Sequence, residues 1–246
     1  MTGTPAQTQV TTAPSPAPAP SRRDRPSPAA RRSGPPALGA LFLLVTATLA
    51  ATVLVRPGRP VLQPLDDTWL RWMGGPHDGA YAVVATVLDW FGGPLGVVVP
   101  VGLLVFLAVR KRWPSLFCLL TAYLVGNVLV VQALKYGVDR PRPADPLVRV
   151  DHGSFPSGHT AGTALLVVIA IALLVPAGRR RGWWAAGAVL TLAMMWSRTW
   201  LHAHWLSDTL AGATTGAGMA LLVWWAFTPL LNREELTRDG RSPQTA

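Results

Sequence analysis

Residues 197–208 read SRTWLHAHWLSD and hold Arg198, His202, His204 and Asp208 within twelve positions. His204 and Asp208 stand four apart, so on a helix they share one face. A carboxylate that accepts from one imidazole nitrogen fixes the tautomer and leaves the other nitrogen free to attack an electrophile. His204 is therefore a candidate nucleophile and Asp208 its orienting partner. His202 and His204 also form an H-x-H pair. Residues two apart on a helix point apart, so a shared metal is disfavoured and no metal is expected.

Two other stretches carry the same kind of chemistry. KYGVDRPRP runs from Lys135 to Pro143, and FPSGHT from Phe155 to Thr160. Lys135, Arg142 and Arg198 together supply three fixed positive charges, against up to about two negative charges on a phosphate ester. The arginine fork suits phosphoryl oxygens. Pro156 can stop the chain ahead of a helix, with Ser157 and Gly158 in its first turn. Backbone N–H groups there have no partner inside the helix and face its positive end. Gly158 lets a ligand come close to the backbone. A helix N-terminus beside three cations is an anion site. His159, with an ordinary pKa of about 6.5, suits a general acid on a leaving oxygen.

The three stretches resemble the signature of the type 2 phosphatidic acid phosphatase family: K-x6-RP, then PSGH, then SR-x5-H-x3-D. Lys135 with Arg142-Pro143, then Pro156-Ser157-Gly158-His159, then Ser197-Arg198, His204 and Asp208 fit in order and spacing. Arg140-Pro141 has the wrong spacing. The resemblance implies that His204 takes the phosphoryl group as a phosphohistidine and that Asp208 orients it. His159 protonates the departing oxygen and then activates water. Lys135, Arg142, Arg198, Ser157 and the Gly158 amide hold the phosphoryl oxygens. It implies no cofactor, and as substrate a lipid phosphate or diphosphate, of phosphatidate or polyprenyl (undecaprenyl) type. Vanadate-dependent haloperoxidases resemble the same motifs, but those relatives are soluble. An anion or lipid transporter using the cations without hydrolysis is the alternative from another class.

The elements that must position these residues are apolar. The 246-residue chain is 50% hydrophobic and 14% charged, with 11 tryptophans. A soluble domain is nearer a quarter charged, and Trp favours membrane interfaces. The expected fold is all-α: a polytopic membrane protein with six transmembrane helices. Uncharged runs at 37–55, 94–109, 115–134, 160–178, 182–197 and 209–232 supply the spans. A bilayer core needs about 20 helical residues. Residues 65–73 read as an interfacial segment, and 78–91 as a helix broken at Gly92-Gly93-Pro94. Residues 1–36, rich in Pro, Ala and Arg, are expected to be a disordered cytoplasmic tail. The membrane domain then covers 37–232 and a short cytoplasmic tail 233–246.

The net charge of +10 sits mostly in the N-terminal arginines and in Arg110-Lys111-Arg112 and Arg179-Arg180-Arg181, between apolar runs. That is a cytoplasmic-loop pattern, so no nucleic-acid partner is expected. Six spans then put both termini inside and all five histidines outside, at the face of the bilayer where a lipid phosphate would arrive. The sequence sets no oligomeric state. Several residues read as structural. Cys118 is a small packing residue, and Gly212 and Gly216 serve close packing within the bundle. His77 is a loop residue, His202 an interfacial one, and His152 a residue bordering the pocket at most. Asp139, Arg140 and Asp151 read as loop or rim charges. Asp89, beside the Gly-Gly-Pro break, receives no role.

Overall fold

The computed structural model describes residues 28–93 and 95–238. Residues 1–27 of the expected tail and 239–246 of the C-terminal one lie outside the described residues. The chain divides into two units, Met1–Ser33 and Gly34–Ala246, and the second holds the helical bundle. Regular structure among the described residues is helical throughout. α1 (Pro28–Leu54) begins inside the segment read as a tail. It is followed by α2 (Gln63–Trp72), α3 (Gly79–Gly92) and α4 (Leu95–Val109). α5 (Trp113–Thr121) continues through a π-helical stretch, Ala122–Val130, into α6 (Val131–Val138). α7 (Gly158–Leu174), α8 (Arg180–Trp200) and α9 (Leu206–Arg238) complete the chain, and α9 runs six residues past the expected end of the domain at 232.

By length and composition three described helices suffice to cross a membrane: Gly34–Leu54, Trp113–Val138 and Leu206–Arg238. A fourth span forms if α3 and α4, bent by 50° at their break, count as one. Of the two remaining expected spans, α7 has 17 residues and α8 carries Arg180 and Arg181 in its first turn. This is a helical membrane protein in which all six apolar runs are helical, while the count of six crossings stays an expectation from the sequence.

α7 is the axis of the bundle. It packs on α9, α8, α3 and the π-helical stretch, and apolar residues bury it on several sides, among them Leu165, Val168, Ile169 and Leu173. Its approach to α9 needs glycine. A Cβ on Gly212 would run into the Ser157 carbonyl oxygen, and one on Gly216 into that of Ala161. The GxxxG pattern thus serves helix packing inside the chain. α1 joins α9 through hydroxyls: Thr46 Oγ1 lies 2.8 Å from Thr214 Oγ1 and 3.2 Å from Thr215 Oγ1. At the end of the bundle opposite the histidines, Arg112 donates to Glu234 (2.6 Å) and to the Leu173 carbonyl (3.0 Å). Arg180 donates to the carbonyls of Ala172 and Val175, each at 2.9 Å. Two arginines therefore satisfy the last carbonyls of α7.

Candidate active site

The site forms where α7 begins. Ser157 has extended backbone angles (φ −68°, ψ 113°) and precedes the first helical residue. Its N–H donates to the Asp208 carbonyl at 3.0 Å, and its own carbonyl accepts the first helical bond from Ala161 at 3.0 Å. α7 is thus docked on α9 at its first residue, with the early amides of Gly158 and His159 left to face the site. The Gly-Gly break brings α3 against His159: a Cβ on Gly92 would overlap the imidazole Cδ2. Asp89, one helical turn before the break, places its carboxylate 3.3 Å from His159 Nε2 and in an ion pair with Arg198.

His204 lies in the turn between α8 and α9. The N–H groups of Ala203 and His204 both donate to the Arg198 carbonyl, at 3.1 and 3.3 Å, so the end of α8 fixes the height of the ring. The side chain is 3% exposed. Its Nδ1 lies 2.7 Å from the Ser154 carbonyl. A carbonyl only accepts, so Nδ1 carries the proton and Nε2 keeps its lone pair. Arg142 donates to that Nε2 at 3.1 Å. Burial, then the charges of Arg198, Arg142 and Lys135 and the nearby His159, push the His204 pKa well below the ordinary histidine value.

The expected direct bond from Asp208 to His204 is replaced. Asp208 Oδ2 lies 4.0 Å from His204 Nδ1, beyond hydrogen-bond range. The carboxylate instead accepts from Ser154 Oγ (2.5 Å), the Trp205 N–H (3.0 Å) and Arg140 (2.7 Å). Asp208 therefore acts on His204 through Ser154, whose hydroxyl it holds and whose carbonyl holds the ring. Arg140 is no rim charge. It is 2% exposed and also donates to Asp66 (2.8 Å), Ser207 Oγ (2.7 Å) and Gln63 (2.8 Å). Asp66, fully buried on α2, accepts in turn from the Ser207 N–H at 2.9 Å. α2 is thus bolted to the start of α9 by a buried network.

Lys135 and Arg142 converge on Asp151. Lys135 Nζ is 2.9 and 3.0 Å from its carboxylate oxygens, and Arg142 pairs with the same carboxylate. Burial raises the Asp151 carboxyl, but the hydrogen bond and charge of Lys135 and the charge of Arg142 outweigh it, so it stays below its ordinary value.

The structure gathers Lys135, Arg142, Arg198, His159 and His204 from α6, the following loop, α7, α8 and the turn after it. Ser157 sits at the start of α7, fully buried, with Thr160 Oγ1 3.1 Å from its hydroxyl. His202 stands apart, with its ring centroid 5.0 Å from that of His77. His152 stacks on Tyr136 and pairs with Asp139 at 3.1 Å. No cluster of metal-ligating side chains occurs among the described residues. Sequence reasoning passes over Asp89, Asp151, Ser154 and the Arg140–Asp66 pair. A charge inside an otherwise uncharged stretch is the one signal available for Asp89.

Residues 113–231 match the profile of the PAP2 superfamily. Phosphatidylglycerophosphatase B of Bacillus subtilis (strain 168) is 29% identical over 136 residues, covering 53% of this chain and 64% of the relative. The chain therefore spans a little under two thirds of that relative's length. The crystal structure of the transmembrane PAP2-type phosphatidylglycerolphosphate phosphatase from Bacillus subtilis superposes with a TM-score of 0.60 and 26% identity, covering 77% of this chain and 93% of that one. The Aquifex aeolicus LpxE structure shares the fold, with a TM-score of 0.54 at 21% identity over 65% of this chain and 94% of that one.

Proposed function

The chain belongs to the PAP2 superfamily, and from that premise we propose that it is a metal-independent lipid phosphatase working through a phosphohistidine. The observation that carries the reading is the state of His204: Nδ1–H held by the Ser154 carbonyl and the Nε2 lone pair presented beside Arg142. Nε2 bonds to phosphorus as the P–O bond to the lipid breaks, and His159 gives its proton to the departing oxygen. Water then attacks the phosphohistidine, its proton passes to His159, and the N–P bond breaks to release inorganic phosphate. Lys135, Arg142, Arg198 and the first amides of α7 stabilise the charge on the transferring group, which is most of what phosphoryl transfer asks of a protein. Asp89 anchors His159 and Arg198 at a common height.

The active face is extracytoplasmic and both termini are cytoplasmic, in keeping with the basic clusters at the opposite end of the bundle. The relative's name makes phosphatidylglycerol phosphate one candidate substrate. Phosphatidate and C55 polyprenyl diphosphate are the others. The test is phosphate release by the purified chain in EDTA across these three lipids, beside His204→Ala. Turnover lost in the variant supports the reading. Lipid binding without turnover in the wild type favours a transporter, and turnover unaffected by His204→Ala rejects the nucleophile.

A further inference from the structure

Lysine has three N–H bonds to give and arginine five. Lys135 Nζ faces the two Asp151 carboxylate oxygens at 2.9 and 3.0 Å and the carbonyls of His152 and Gly153 at 3.3 and 3.2 Å. Arg142 directs Nε to the Asp151 carbonyl at 3.1 Å. One terminal nitrogen serves the Ala203 carbonyl (2.5 Å) and His204 Nε2 (3.1 Å). The other serves the Gly153 carbonyl (2.9 Å) and the Asp151 carboxylate. Every donor of both cations is engaged, most of them by residues 151–153. Arg198 differs, since its Nε is buried with no partner among the described residues.

We propose that the Asp151 carboxylate is an internal competitor for phosphate, set on the position of Lys135 and Arg142 that a phosphoryl oxygen must take, and that it selects for terminal phosphate monoesters. This rests on the phosphatase reading of the same site. The Asp151 side chain is 63% exposed, against 4% for Lys135 and 10% for Arg142. The carboxylate can therefore swing into water while the cations stay where packing holds them. Gly153, in the left-handed region at φ +64°, folds the segment back over Lys135, where a Cβ would come within 3.1 Å of the Lys135 carbonyl oxygen. A terminal phosphate offers up to about two charges and three acceptor oxygens, and it displaces a single carboxylate at a gain. A phosphodiester carries one charge, no more than Asp151 already supplies, and gains nothing. Ordinary membrane phospholipids are phosphodiesters, so the competitor keeps the site clear of the surrounding lipid.

The test compares wild type, Asp151→Asn and Asp151→Glu as purified full-length chains in one detergent. Orthovanadate affinity is measured by calorimetry, and inhibition by phosphatidylglycerol is measured on phosphatidate hydrolysis. In Asp151→Asn the orthovanadate Kd falls roughly fivefold, the scale of a partly exposed ion pair, and phosphatidylglycerol becomes an inhibitor. Asp151→Glu keeps the wild-type values. A damaged fold weakens binding and so does not imitate tightening. An unchanged or higher Kd in Asp151→Asn, or a Glu variant that behaves like Asn, overturns the proposal. Tightening in Asp151→Asn without lipid hydrolysis by the wild type would overturn the phosphatase reading and leave the competitor standing. Hydrolysis without tightening does the reverse.

Discussion

At the scale of single residues, His204, the proposed nucleophile, is prepared by a backbone carbonyl. Any residue at position 154 has one, so no motif can advertise it, and spacing alone points to Asp208 for the contact that Ser154 makes. The charged residues are legible because their types and spacing are chemically unusual in an apolar chain. Their mutual pairing is not, because Asp89 lies far in sequence from Arg198 and His159, and Asp151 meets Lys135 and Arg142 only through the folding of the loop between them. A histidine attacks only when neutral, and a pKa pushed down keeps it neutral as the pH falls. ¹⁵N-histidine spectra of wild type and His204→Gln should therefore identify a ring protonated on Nδ1 alone that stays so below pH ~6.5, the ordinary midpoint. A ring that titrates at or above that midpoint, or carries its proton on Nε2, contradicts the arrangement. Arg140→Ala removes one member of a buried charge network and leaves Asp66 and Asp208 unpaired. A loss of about 3–5 kcal/mol is expected, read as a large drop in thermal midpoint in detergent.

At the scale of helices, glycines set how close the elements of the proposed active site come. The Gly92-Gly93 break and the Gly212/Gly216 pair are both visible as patterns, and the structure uses them against His159 and α7. What periodicity cannot give is the partner. Small residues permit close approach but do not name the helix that approaches. Gly216→Ala puts a methyl into the Ala161 carbonyl, and overpacking of this kind costs about 1–3 kcal/mol. It should lower both the thermal midpoint and kcat, because the same helix carries Ser157 and His159. Gly92→Ala instead puts its methyl into the His159 side chain, ring and Cβ alike, rather than into backbone. Its midpoint should stay near wild type while kcat falls on the order of a hundredfold, the effect of misplacing the proposed general acid. Equal damage to stability in the two variants would show that the break serves folding rather than catalysis.

At the scale of the whole molecule, polar chemistry is divided between two ends of one bundle. Arg112, Glu234 and Arg180 close the far end, and the histidines and their cations occupy the other. The apolar helices are legible from hydropathy, whereas α2 reads as interfacial without any sign of its buried Asp66. In a Cys118→Ser background, a cysteine at Asp145 should react with an impermeant maleimide added outside cells, and one at Gly178 only after permeabilisation. The opposite result reverses the orientation. The 17 residues of α7 span about 26 Å at 1.5 Å per residue, some 4 Å less than a typical hydrocarbon core of about 30 Å. With both its ends tied to polar groups, this helix cannot lengthen, and any tilt would only reduce its reach. If α7 is one of the six expected crossings, the bundle that encloses it passes this mismatch to the bilayer, at a fraction of a kcal/mol per ångström. Turnover in vesicles should rise as acyl chains shorten from C18 to C14, making bilayer thickness itself a control on the rate.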